Sequence, residues 1–214
     1  MFILKIEGGI KVFSNLIFVL NGPSAGGKTM VLEALLEKNL GLEKLVTVTT
    51  RKPRTSPVKE VHGEDYYFIT KEEFLKMKEN TNEDQIVEET EYPKGSGVLY
   101  GIFDSEIERI GRLGKDAVAI LDIHGISEMK RFYGDSNVVS IFINRDIREI
   151  EKSLGERDIS EDELRKRLAF AREEYKNIEK TDYVVNNDST KDDLFDQVIR
   201  IINKERMKKN RRGA

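Results

Sequence analysis

The stretch GPSAGGKT, Gly22 to Thr29, decides the fold, because it fits the spacing G-x-x-x-x-G-K-[ST] and joins two segments of different periodicity. Before it runs LIFVL (16–20), a continuous apolar run of the length a buried strand takes. After it, Val31, Leu32, Leu35, Leu36 and Leu40 recur at helical spacing, and Gly41 stands where a C-cap is expected. A glycine-rich loop between strand and helix turns its backbone N–H groups toward phosphate oxygens, and the helix N-terminus adds its positive end. Lys28 then reaches the β- and γ-phosphates, and the Thr29 hydroxyl is a ligand for Mg²⁺. Gly22, Pro23, Ser24, Ala25, Gly26, Gly27, Lys28 and Thr29 are therefore the expected binding site of a nucleoside triphosphate.

Further along, short apolar runs alternate with helical periodicity, the pattern of an α/β protein with a mostly parallel sheet. AVAIL (117–121), VVSIFI (138–143) and DYVV (182–185) read as buried strands. Asp122 ends the first of these, at the sheet edge where α/β proteins bind ligands. There it reads as a cap for the next segment, or as a carboxylate that holds Mg²⁺ through water or orients an arginine or the acceptor. Ser160 and Glu163 form a capping-box pattern, and Leu164, Leu168, Ala171 and Tyr175 continue on one side of the helix it opens. A last helix carries Leu194, Val198 and Ile201, and the basic end KERMKKNRRGA reads as a frayed, solvated tail. Residues 47–102 behave differently: strand-like pieces, Pro53, Pro57, Pro93 and the loop KGSG read as a small inserted subdomain for a second substrate.

The 214 residues suffice for one α/β domain with small insertions. A net charge of −3 argues against nucleic acid as the main partner. With no cysteine the chain has neither disulfides nor thiolate metal sites, which fits a reducing, cytoplasmic setting. His62 and His124, the two histidines, leave little for a histidine-based metal centre. The apolar start MFILKIEGGIKVFSNLIFVL is interrupted by Lys5, Glu7, Lys11 and Gly8–Gly9, so it reads as an extra strand or hairpin and not as a membrane segment.

TVTTRKPR (Thr47 to Arg54), HGEDYYF (His62 to Phe68), VEET (Val87 to Thr90), LYG (Leu99 to Gly101) and LDI (Leu121 to Ile123) follow the P-loop in order. Together with GPSAGGKT they resemble the guanylate kinase family, over nearly the whole chain from residue 16 to 203. The resemblance implies an α/β P-loop NTPase three-layer fold in a single domain, 1–214. Its core would be 16–46, 103–144 and 176–207, its GMP-binding subdomain 47–102, and its helical lid 145–175. It implies transfer of the γ-phosphoryl of ATP to GMP, with Mg²⁺ as cofactor. By family pattern Arg51, Arg54, Tyr66 and Tyr100 take the GMP phosphate, Glu88 reads guanine with Thr47 as a second polar contact, and Asp122 serves the acceptor. Arg157 and Arg167 close over the triphosphate, Asn187 lies near adenine, and Lys28, Arg51, Arg157 and Arg167 carry the catalytic charge. These residue types suit the chemistry. Arginine forks and tyrosine hydroxyls match a phosphate dianion, and a carboxylate accepts the two N–H groups of guanine N1 and N2.

The chain departs from that pattern in four places. The P-loop reads AGG where the family more often has glycine-alanine-glycine. The loops between Arg54 and Asp65 and before LYG are longer than usual. Ile102 stands where a hydroxyl normally touches guanine, and LDIHG is shortened, leaving His124 near the place of a second carboxylate. Ile102 motivates one alternative, a kinase for another nucleotide or a phosphorylated sugar. A non-catalytic interaction module is the other, although Lys28 and Thr29 are both kept. The sequence does not distinguish a monomer from a homodimer.

Overall fold

The computed structural model describes residues 6–7, 10–11, 15–55, 59–79, 85–91, 95–156 and 159–212; the side chains of residues 6, 7, 10, 11, 87 and 88 lie outside the description. The chain opens with β1 (Ile6–Glu7), β2 (Ile10–Lys11), β3 (Ile17–Asn21), α1 (Lys28–Glu37) and β4 (Leu42–Lys44). Next come β5 (Val48–Thr49), β6 (Tyr67–Phe68), α2 (Lys71–Glu79), β7 (Ile86–Glu91), β8 (Leu99–Phe103) and α3 (Asp104–Arg112). The remainder is β9 (Asp116–Ile120), α4 (Ile123–Tyr133), β10 (Val138–Asn144), α5 (Ile147–Gly155), α6 (Glu161–Tyr175), β11 (Tyr183–Asn186) and α7 (Lys191–Arg212).

Five strands form one parallel sheet in the order β11-β10-β3-β9-β4. Strand β3 is buried along its whole length, and alternation sends its side chains into two different layers. Phe18 and Leu20 join Val31, Leu32 and Leu35 of α1 and Leu194, Val198 and Ile202 of α7. Ile17 and Val19 join Ile107 and Ile110 of α3 and Ile126, Met129 and Tyr133 of α4. The parallel sheet is the one the alternating sequence pattern predicts, and its two helical layers give the three-layer α/β arrangement that the resemblance implies. The connection after β3 runs toward β4 on one side, whereas that after its neighbour β10 runs to β11 on the other, so the P-loop opens where strand order reverses, the place where such sheets bind ligands.

A second sheet runs in the order β6-β5-β8-β7, with antiparallel β5–β8 and β7–β8 pairs and a parallel β5–β6 pair. It has its own small core of Val48, Phe74, Ile86, Leu99 and Phe103 against α2. Glu106, 2% exposed, ties this sheet to the first. Its carboxylate accepts from the Val46 backbone N–H at 3.0 Å, from the Tyr67 hydroxyl at 3.2 Å and from the Arg109 guanidinium at 2.9 Å. A buried carboxylate supplied with this many donors is not left to bear the cost of desolvation alone.

Three local readings change. Helix α1 ends at Glu37, and Asn39, not Gly41, takes the first left-handed position, at φ 48°. The Asn39 N–H donates to the Leu36 carbonyl at 3.1 Å, satisfying an end carbonyl as asparagine is able to do. The basic tail is ordered helix through Arg212. Arg206 Nε donates to Asp116 Oδ2 at 2.7 Å, and Lys209 Nζ donates to the Asn15 carbonyl and Asn137 Oδ1, each at 2.7 Å. Those long-range partners, invisible in a charge run, hold the last turns. Third, the Ser160 half of the capping box forms, with the Glu163 N–H on Ser160 Oγ at 3.2 Å, but the Glu163 carboxylate goes to Arg167 instead. The start of the chain has the expected hairpin, with Ile6 opposite Lys11 and Glu7 opposite Ile10. Pro57 and Pro93 lie outside the described residues.

Candidate functional site

The P-loop leaves β3 at Gly22, whose φ of 123° and close approach to the β10 backbone leave no room for a side chain. A Cβ there would lie 2.7 Å from the Ile143 carbonyl oxygen. Gly27, at φ 107°, is bound in the same way, its Cβ position 2.7 Å from Asn187 Nδ2. Ala25 sits at φ 61°, a left-handed conformation that costs an alanine about 1 kcal/mol. That is the structural consequence of reading AGG here. Two side chains from elsewhere brace the loop. Asn187 Nδ2 donates to the Gly26 carbonyl at 2.8 Å, and Arg145 Nη1 to the Ala25 carbonyl at 2.8 Å. Asn187, expected near a nucleobase, thus meets the loop's backbone, and Arg145 was not singled out by the sequence.

Lys28 opens α1, and its ammonium donates to the carbonyls of Gly22 at 2.6 Å and Pro23 at 2.9 Å. Burial pulls its pKa down to about 8, with the charge of Glu174 acting the other way. Lys28 and Thr29, with Gly22 and Ser24, form one wall of a cleft of about 350 Å³. Thr47, Arg54, Tyr66, Thr90 and Tyr100 line it from the small sheet, and Ile120, Leu121 and Asp122 line it from the end of β9. Arg167, Phe170 and Glu174 of α6, spaced i, i+3 and i+7 on one helix face, close the third side.

Most of the expected acceptor residues therefore share one cleft. Arg51 stands off the lining, with its guanidinium 5.3 Å from the Tyr66 ring centroid and 5.7 Å from that of Phe68. Glu60, on the lengthened loop after Arg54, takes both ends of the Arg51 fork, from Nη1 at 2.9 Å and Nη2 at 2.8 Å. The same carboxylate accepts from the Arg54 backbone N–H at 2.6 Å. The Arg51 fork holds Glu60 well below the usual carboxylate range. Burial pushes the Tyr66 hydroxyl up, so the ring presents a proton donor. Arg167 donates to Glu163 Oε1 through Nε at 2.9 Å and Nη2 at 2.6 Å. Arg157 lies outside the described residues. Glu88 lies on β7 in register with Ile102, and its side chain is outside the description. Ile102 is fully buried beside Leu45, Ile107 and Ile110 and does not line the cleft.

Asp122 takes the first of the roles open to it and stands where the second would be played. As N-cap of α4 its Oδ1 accepts from the Gly125 N–H at 2.9 Å, and it also faces the cleft. Glu174 is a residue that sequence reasoning missed. It is 5% exposed, and burial, reinforced by the charge of Asp122 and opposed by Lys28, raises its pKa to about 7. The signal was available in its position, seven residues after Arg167 on the same helix face.

A carboxyl whose pKa rises on folding contributes stability that is complete below its ordinary value of 4.5 and is lost as pH climbs through about 7. Glu174→Gln, a neutral isostere, is thus expected to leave the thermal midpoint little changed at pH 4.5 and to raise it at pH 8. Thermal denaturation at both pH values checks this; an equal effect at both would show that Glu174 ionises normally.

The chain matches the family model described as "Guanylate kinase" over residues 14–205. It is 35% identical over 196 residues to a guanylate kinase of a Wolbachia species from Brugia malayi, covering 91% of this chain and 95% of that one. To the guanylate kinase of Thermotoga maritima it is 34% identical, covering 91% of this chain and 89% of the relative. A crystal structure of guanylate kinase from Anaplasma phagocytophilum superposes with a TM-score of 0.67 at 29% identity, covering 91% of this chain and 86% of that one.

Proposed function

The chain belongs to the guanylate kinase family, whose named relatives are nucleoside monophosphate kinases, and we propose that it transfers the γ-phosphoryl of ATP to GMP. The observation that carries this reading is one cleft in which Lys28 and Thr29 face Thr47, Arg54, Tyr66 and Tyr100. A phosphate cradle on one wall and a phosphate-matching set on the other suit two nucleotides meeting end to end.

In this reading ATP lies on Gly22 to Thr29, with Asn187 at its adenine side, and GMP lies on the small sheet. Thr47 and Glu88 read the base, and Arg51, Arg54, Tyr66 and Tyr100 hold its phosphate. An oxygen of the GMP phosphate attacks the γ-phosphorus in line, the bond to the β–γ bridging oxygen breaks, and ADP leaves. No general base is required, since a phosphate monoester with a second pKa of about 6 is largely dianionic at neutral pH. The residues therefore position and neutralise. Lys28 meets the charge of the β- and γ-phosphates, Arg51 orients the attacking phosphate, and Arg157 and Arg167 close from the lid. Glu60 keeps the Arg51 fork in place through its two hydrogen bonds.

The Thr29 hydroxyl and the Asp122 carboxylate are hard oxygen donors on the same cleft, a donor set that fits Mg²⁺, with Asp122 reaching it through water. Thr29 and Asp122 would hold the ion, which would supply positive charge against the phosphates. We place the acceptor subdomain at 47–102 and the lid at 145–175, around the core of 16–46, 103–144 and 176–207. A cytoplasmic setting belongs to the same proposal and is supported by the cysteine-free chain. Among the described residues no helix is long and apolar enough to cross a membrane. Chromatography of a reaction with ATP, Mg²⁺ and GMP tests the proposal. ADP and GDP appearing in equal amounts supports it, and ADP without GDP contradicts it.

A further inference from the structure

Thr90 and Asp122 meet across the cleft from two different sheets. Thr90 belongs to β7 of the four-stranded sheet, and Asp122 follows β9 of the five-stranded one. Thr90 Oγ1 donates to Asp122 Oδ2 at 2.8 Å, and both residues line the cleft. Strand β7 turns Thr90 inward by alternation, because its neighbours have other partners. The Glu89 carboxylate pairs with Lys78 at 2.6 Å, and Glu91 Oε1 accepts from the Gly97 N–H at 2.6 Å. Opposite Thr90 in the ladder stands Tyr100, itself a cleft residue.

We propose that Thr90 is a positioning residue for the phosphoryl transfer, its hydroxyl fixing the carboxylate of Asp122 for the acceptor; this rests on the reading of the cleft given above. A carboxylate turns easily about its last torsion, whose preference is broad and two-fold. The Gly125 N–H alone pins Oδ1 and leaves that rotation open. The second bond, to Oδ2, fixes the plane. A threonine hydroxyl has one proton to give, and here it is committed to Asp122, so the Thr90 oxygen is left as an acceptor toward the cleft. The bond also sets the spacing between the sheet that carries the acceptor residues and the sheet that carries the P-loop. Asp122 thereby answers to both halves of the site.

Four proteins test this: Thr90→Val, Thr90→Ser, Asp122→Asn and the Thr90→Val/Asp122→Asn double variant, with GMP and ATP varied separately. Valine keeps the shape and removes the hydroxyl. A hydrogen bond to a charged group supports a loss of about tenfold in kcat/KM for GMP in Thr90→Val, while Thr90→Ser restores activity to nearly the parent level. In the Asp122→Asn background, Thr90→Val is expected to add little, because the pair acts as a unit. Three results overturn the assignment: Thr90→Val equal to the parent, Thr90→Ser as impaired as Thr90→Val, or the full Thr90→Val loss persisting beside Asp122→Asn. An inactive parent overturns the proposed function and this assignment with it; an active parent with an unaffected Thr90→Val overturns this assignment alone.

Discussion

Lys28→Ala is expected to lower kcat/KM for phosphoryl transfer by about 10³-fold, the scale of removing one preorganised charge from a developing transition state. The size follows from where the ammonium is held. It sits at the first residue of α1, anchored by the Gly22 and Pro23 carbonyls, in a place buried enough to pull its pKa down to about 8. An ammonium desolvated in this way interacts with a triphosphate far more strongly than an exposed one. Burial opposes its charge and Glu174 supports it, so at neutral pH most of the population remains protonated. Alanine removes the charge while Gly22 and Gly27, whose positive φ angles shape the loop, remain glycine. Steady-state kinetics, alongside a thermal melt to verify folding, checks the prediction; parent-like activity in a folded Lys28→Ala protein would remove Lys28 from the mechanism.

Glu88→Gln is expected to lower kcat/KM for GMP by about 100-fold while leaving the KM for ATP within about twofold. A carboxylate offers two acceptors to the N1 and N2 protons of guanine. The glutamine amide replaces one of them with a donor, which faces a donor. Glu88 occupies β7 two residues before Thr90, in register with Ile102. The complete burial of Ile102 among Leu45, Ile107 and Ile110 places it in the core and not on the cleft wall. Parallel KM determinations for the two nucleotides separate the cases. A similar change in both constants would mean that Glu88 shapes the domain and does not read the base.

The P-loop, the parallel sheet and its alternation with helices were legible because each rests on local pattern. Apolar runs of strand length, a glycine spacing and helical periodicity occur within a dozen residues of one another. What was not legible depends on partners distant in sequence. The basic tail looks like a solvated end until Arg206 meets Asp116 and Lys209 meets Asn15 and Asn137. The bond from the Asn187 amide to the Gly26 carbonyl, across the sheet from another loop, has no local sign either. Glu60 lies in the lengthened loop after Arg54, and no local pattern announces that its carboxylate grips Arg51. Thr90 and Glu174 join the site through side-chain encounters across the cleft, and Glu174 alone left a trace, its helical spacing from Arg167.

The fold also explains why the P-loop and the small sheet share one cleft. The P-loop leaves the central strand at the point where strand order reverses, while the small sheet stands over the neighbouring end of β9, joined to the core through Glu106 and through the Thr90–Asp122 bond. Helix α6 borders both with Arg167 and Glu174. On its exposed face Lys166 pairs with Asp162 at 2.6 Å, a pair that contributes little to stability.

The central claim is the identity of the acceptor, and a coupled ADP-release assay across GMP, dGMP, AMP, CMP and UMP at fixed ATP and Mg²⁺ tests it most directly. Rapid ADP release with GMP, and far slower release with AMP, CMP and UMP, is the predicted result. Equal rates across the five nucleotides, or a faster rate with a nucleotide other than the two guanine ones, would contradict the account.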